Sequence, residues 1–188
     1  LARERKRAAR RYGALAMVAG ILLIVGIIIY RRFFSPDPLV VEVYNNQNAA
    51  LQEVMRGNYA AAVPYLERNL ELEPANAEWP IRLGVLEEIA GDAAGSQTWF
   101  ERGRVHAPDE ASFYLLRAQA YSEAGLYAQS LQDAEWATQA DATLPMGFLL
   151  LGRSHASLGH TQEAIAAYEK VIEMTEDSKG DETIYVMA

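Results

Sequence analysis

The sequence predicts an all-α protein, with an N-terminal transmembrane helix followed by an α-solenoid of four helix pairs. Three observations carry the prediction. Residues 13–30 form an uncharged run of 18, rich in Ile, Leu and Val. Four glycines, Gly57, Gly91, Gly125 and Gly159, recur at a constant interval of 34 residues. Apolar residues return with helical periodicity, as Ala164, Ile165, Tyr168, Val171 and Ile172 do at i, i+1, i+4, i+7 and i+8.

The apolar run reads as the anchor. As a helix it extends about 27 Å, close to the hydrocarbon thickness of a bilayer. Arg3, Arg5, Lys6, Arg7, Arg10 and Arg11 precede it, and only Arg31 and Arg32 follow. This excess predicts a cytoplasmic N-terminus and a repeat domain on the periplasmic or cell-surface side. The basic arm, residues 1–12, suits anionic lipid head groups. A cleaved signal peptide would show small residues at its cleavage site, whereas Tyr30-Arg31-Arg32-Phe33-Phe34 follows here. Arg10-Arg11 lacks the neighbours of a twin-arginine signal. Gly13, Ala16, Ala19, Gly20 and Gly26 place small residues at spacings that suit packing against other transmembrane helices, although small residues are also common in such helices. The chain starts at Leu1 rather than Met, so further residues are expected upstream.

Residues 31–42 read as a linker. In Ser35-Pro36-Asp37-Pro38 the two prolines are expected to stop any helix and favour a stiff, extended segment. Residues 43–176 hold the repeats, as units 43–76, 77–110, 111–144 and 145–176, and residues 177–188 read as a C-terminal tail without a capping helix.

Charge separates the two parts. Residues 1–32 carry a net charge of +7 and residues 33–188 a net charge of −15. So acidic a domain repels phosphates, which argues against nucleic-acid binding. The absence of cysteine excludes disulfides, thiol nucleophiles and thiolate metal sites.

The 34-residue register extends beyond the glycines. Seven residues before each sits a small residue, Ala50, Gly84, Ala118 and Gly152, and five after it another, Ala62, Ser96, Ser130 and Ala164. Nine after it come Leu66, Phe100, Ala134 and Tyr168, where Ala134 departs from the large residue otherwise found. Seventeen after it come Pro74 and Pro108, then Ala142 and Glu176. Pro80 falls in the first turn of its helix, where proline is tolerated, whereas Pro64 is interior and is expected to kink or break its helix. In this register, over about residues 43–176, the chain resembles the tetratricopeptide-repeat family, most closely in Gly57–Pro74 and Gly159–Met174.

The resemblance implies stacked helix pairs whose concave face, lined by the first helix of each pair, holds a peptide or helix of another protein. By position that face includes Gln47, Leu51 and Val54, then Ile81, Val85 and Glu88, then Leu115, Gln119 and Ser122, and finally Leu149 and Arg153. Members that clamp a chaperone's C-terminal carboxylate carry Lys and Asn where this chain has Gln47 and Leu51, which disfavours that partner class.

No catalytic constellation emerges, so no enzymatic activity and no cofactor are expected. Gly152-Arg153-Ser154-His155-Ala156 is not a nucleophile elbow, because its fifth residue is Ala and no strand precedes it. His106, His155 and His160 show no metal-ligand spacing, and His155 shares a packing column with Tyr121, which predicts a core histidine. The expected role is a membrane-anchored scaffold for protein–protein interaction, serving as adaptor or assembly factor for membrane or exported proteins. The alternatives are an accessory structural subunit of a larger membrane complex, such as an energy-transducing one, and an organellar protein-import receptor.

Overall fold

The computed structural model describes residues 24–26 and 36–185, and every described element is helical. The chain divides into two compact units, residues 1–41 and 42–188. Most of the expected anchor lies outside the described residues, with Gly13, Ala16, Ala19 and Gly20 among those not described, while Gly26 belongs to a short described helical stretch. No helix among the described residues is long and apolar enough to cross a membrane.

Eight helices follow: α1 (Pro38–Met55), α2 (Tyr59–Leu72), α3 (Glu78–Ala90), α4 (Ala93–His106), α5 (Glu110–Glu123), α6 (Tyr127–Ala140), α7 (Pro145–Leu158) and α8 (Thr161–Tyr185). They form four pairs, α1/α2, α3/α4, α5/α6 and α7/α8. The four register glycines stand in the turn of each pair at φ +78°, +86°, +77° and +83°, a left-handed conformation that side chains resist.

The start of α1 corrects the reading of the linker. Pro38 opens the helix instead of blocking it. Its missing N–H costs nothing in the first turn, and Asp37 Oδ1 accepts the Leu39 N–H at 2.9 Å. Asp92 caps α4 through Gly95 N–H (2.9 Å), and Asp109 caps α5 through Ser112 N–H (2.7 Å). The break expected at Pro64 does not occur, because α2 continues through it to Leu72. Pro80 lies in the first turn of α3 as expected.

Helix ends follow the proline column. α2 and α4 stop just before Pro74 and Pro108. Without proline, α6 stops at an Asx turn in which Asp141 Oδ1 accepts from Thr143 N–H (2.8 Å) and Oγ1 (2.6 Å). At Glu176 neither device exists, and α8 continues through the expected tail to Tyr185.

Within each pair the two register columns are matched in size. A Cβ on Gly84 would lie 2.6 Å from Phe100 Cε1, and one on Gly152 the same distance from Tyr168 Cε1. An aromatic ring therefore seats on glycine in the second and fourth pairs. In the first and third, the combinations are Ala50 with Leu66 and Ala118 with Ala134, all buried. Ala134 is thus the small partner of a position that already carries a methyl group.

The core is three clusters in series rather than one. The first joins Val43, Ala50, Leu66 and Leu70 to Trp79, Leu83 and Leu86. The second joins Ile81 and Val85 to Phe113, Ala120 and Tyr121, and the third contains Ala118, Ala134 and Leu150. Each pair packs on its neighbour, as repeat stacking requires. At the last pair only part of the expected apolar stripe is covered. Ala164 is buried, but Ile165 and Ile172 are exposed, because no further helix pair among the described residues packs on them.

Candidate protein-binding groove

The first helices α1, α3, α5 and α7 share one side of the array, and a cleft of about 590 Å³ opens along it. Its walls come from three pairs: Leu51, Val54, Met55 and Tyr59 from the first, Glu123, Ala124 and Tyr127 from the third, and Arg153 from the fourth. A narrower cavity shares Leu51, Val54, Glu123 and Ala124 with it and reaches Arg82 and Val85 of α3. The lining mixes these apolar and aromatic side chains with charged ones: Arg56, which pairs with Glu53, Glu123, which pairs with Arg82, and Arg153, which is exposed at one side and makes no salt bridge among the described residues.

A polar ladder beside the cleft ties the first helices together. Gln47 Nε2 of α1 donates to Glu78 Oε1 at 2.8 Å, which also accepts Arg82 Nε at 2.8 Å. Both terminal nitrogens of Arg82 then reach the Glu123 carboxylate of α5, one of them at 3.2 Å. Gln119 Nε2 donates to the same carboxylate at 3.0 Å. The Arg82 and Glu123 side chains are only 11% and 14% exposed. Burial opposes the Arg82 charge and is the largest single influence, but Glu123 with Glu78 outweighs it and holds the guanidinium above the usual arginine range.

The residues expected on the concave face divide accordingly. Leu51, Val54 and Arg153 line the cleft, and Gln47 and Gln119 belong to the ladder. Leu149 is exposed, and Leu115 is half-buried against the third core cluster. Ile81, Val85 and Ser122 are corrected. At 0%, 1% and 1% exposure they are interior, the first two packed against Phe113 and Tyr121 of the next pair. The Ser122 hydroxyl is buried without a hydrogen-bond partner. Glu88 faces a different cleft, between α4 and α5, and accepts from Tyr121 Oη at 2.6 Å. Burial, then this contact, pushes the Tyr121 hydroxyl far above its ordinary pKa.

Met55, Tyr59, Glu123 and Tyr127 were missed by the sequence reading. Their signal was the glycine register itself, since they stand two residues before and after Gly57 and Gly125. The cleft runs along these turns as well as along the helices.

Ser154 is fully buried and its Oγ donates to Ser130 Oγ at 3.0 Å. Arg117 holds the buried Asp133 in two hydrogen bonds of 2.6 and 2.7 Å, with its guanidinium over the rings of Phe100, Phe113, Tyr114 and Tyr121. Burial works against the Arg117 charge, but Asp133 outweighs it and raises the arginine further. His155 is not the core residue expected; it is half-buried and its ring meets that of His160. No group of three or more metal-ligating side chains occurs among the described residues.

One family model and one curated relative agree with this repeat architecture. The tetratricopeptide-repeat family model matches residues 147–178. A curated relative, the small glutamine-rich tetratricopeptide repeat-containing protein 2 of Saccharomyces cerevisiae, is 35% identical over 71 residues, which are 38% of this chain. The match spans only 20% of the yeast protein's length. Among solved structures, a crystal structure of MamA aligns at TM-score 0.40 and 20% identity, over 65% of this chain and 72% of that one. MamA from Desulfovibrio magneticus aligns at TM-score 0.40 and 18% identity, over 71% and 75%. The family match over residues 147–178 and the repeat-bearing yeast relative mark tetratricopeptide-repeat sequence in this chain, in agreement with its four glycine-turned helix pairs, and proteins built of such repeats generally mediate protein–protein interaction.

Proposed function

We propose that this chain is a membrane-anchored scaffold whose cleft receives a helical or extended segment of another protein, acting as adaptor or assembly factor for membrane or exported proteins. The observation that carries the binding reading is the cleft assembled by the first, third and fourth pairs, with Leu51, Val54, Met55 and Tyr127 as apolar contacts and Arg153 as an exposed cation. Such a lining suits a segment with two or three apolar anchors and a carboxylate, rather than a polyanion. The anchor rests on the uncharged run 13–30 and its basic flank, which also support an extracytoplasmic repeat domain. The scaffold is taken to have no catalytic role.

Co-purification with mass spectrometry identifies the partner. Arg153→Glu, on an exposed residue, is expected to weaken its capture at least about tenfold, because a charge pair becomes a repulsion. Unchanged capture by Arg153→Glu and by Tyr127→Ala would exclude this cleft. Protease treatment of sealed cells tests the topology, and cleavage of the repeats from the cytoplasmic side alone would reverse it. Native electrophoresis after mild detergent extraction separates this reading from a stoichiometric accessory subunit, which would migrate wholly in one complex.

A further inference from the structure

The turn of the fourth pair carries a feature that neither the groove nor the repeat packing uses. His155 Nδ1 and His160 Nδ1 lie 3.3 Å apart, with ring centroids at 5.5 Å. The backbone fixes this approach. His160 N–H donates to the His155 carbonyl at 2.9 Å and Gly159 N–H to the Ala156 carbonyl at 3.2 Å, closing the helix end around the left-handed glycine. This closure brings the side chains before and after the turn together, a position that commonly holds an apolar contact. The same backbone bond recurs in the other pairs between Glu53 and Asn58, Glu87 and Asp92, and Tyr121 and Leu126. In the first pair the side chains meet too, Asn58 Nδ2 donating to Glu53 Oε2 at 2.9 Å. Only the fourth turn fills both positions with imidazoles.

We propose that His155 and His160 chelate one divalent transition-metal ion, Zn²⁺, Ni²⁺ or Cu²⁺, through their two Nδ1 atoms. Two metal–nitrogen bonds of about 2.0–2.1 Å at a tetrahedral angle separate their nitrogens by about 3.3 Å, and that separation is already present. Imidazole donors suit these ions over Mg²⁺ or Ca²⁺. Each ring binds as its Nε2–H tautomer, so that both Nδ1 lone pairs face the ion. His160 is exposed and His155 half-buried, so the ion has access and water completes its shell. Without metal the pair survives only if one Nδ1–H donates to the other ring.

The test uses the full chain, stripped of metal, titrated with Zn²⁺ against a chromophoric chelator. One ion per chain is expected. His155→Ala and His160→Ala should each weaken binding at least about tenfold, as much as both together, because a chelate needs both arms. His106→Ala, at the end of α4, should leave it unchanged. Cu²⁺ resonance spectra should show hyperfine coupling to two nitrogens in the native chain. Circular dichroism identical to the native chain shows that the variants are folded, and His160→Asn provides a second variant at the same turn. Zinc binding no tighter in the native chain than in His155→Ala/His160→Ala would overturn the proposal. So would loss in only one of the single variants, or one ion shared between two chains.

Discussion

Gly84 and Gly152 show how much a single methyl group decides. Each is covered by an aromatic ring at a distance that leaves no room for a Cβ. Gly84→Ala gains up to about 1 kcal/mol of helix propensity but meets Phe100, and overpacking costs about 1–3 kcal/mol. A net loss of about 1 kcal/mol is expected in denaturant unfolding. Gly84→Ala/Phe100→Leu, which copies the Ala50/Leu66 combination of the first pair, should recover most of it. Asp109 acts through charge. The Ser112 N–H, then the Ser112 side chain, holds its carboxyl below the ordinary range in the folded chain. The cap therefore contributes its full stability above the unfolded-state pKa and loses it as pH falls through the folded one. Asp109→Asn can still cap but does not titrate. Its thermal midpoint should therefore change less than that of the native chain between about pH 5 and about pH 3.

At the scale of elements, the Arg82 ladder sets how the first helices sit side by side. Glu123→Ala strands a largely buried guanidinium that keeps only Glu78. The expected loss is about 3 kcal/mol, the lower end of the cost of breaking a buried pair, read as a lower midpoint in urea. Arg82→Met/Glu123→Met removes both charges and should recover most of that stability, since apolar replacement of a whole buried pair is often close to neutral. None of this was legible in the sequence. Arg82 and Glu123 are 41 residues apart and occupy different register columns, so only the stacking of α3 on α5 brings them together. The helices themselves were legible, because glycine turns and proline stops act locally. The two misread boundaries, at Pro38 and Glu176, have local causes as well. Proline opens a helix as readily as it ends one, and α8 meets no stop signal at Glu176. Glu176→Pro, which restores the column, should shorten α8 and reduce the far-ultraviolet helical signal while leaving the unfolding midpoint nearly unchanged.

For the repeat unit as a whole, stability is a series of neighbouring interfaces. α3 and α5 are covered on both sides and carry Ile81, Leu83, Val85 and Phe113, all nearly inaccessible. Among the described residues α8 is covered on one side only, and Ile165 and Ile172 are exposed. Native-state hydrogen exchange should therefore be slowest in α3 and α5 and fastest in α8. Ile165→Gln/Ile172→Gln should change stability by no more than about 0.5 kcal/mol per site, as exposed substitutions do, while raising solubility. A loss of several kcal/mol would show that another surface covers this face.

By itself the sequence determined the repeat length, the pairing of helices, the turns at Gly57, Gly91, Gly125 and Gly159, and the acidic character of the domain. These depend on φ preferences, on periodicity and on composition, all of which act within a few residues. Only the tertiary structure decided which inner-face residues are available. Leu51, Val85, Gln119 and Arg153 occupy one register column, yet Leu51 and Arg153 line the cleft, Val85 is core and Gln119 supports the ladder. Equivalent positions differ because burial is set by the neighbours stacked on each pair, and those neighbours lie tens of residues away along the chain.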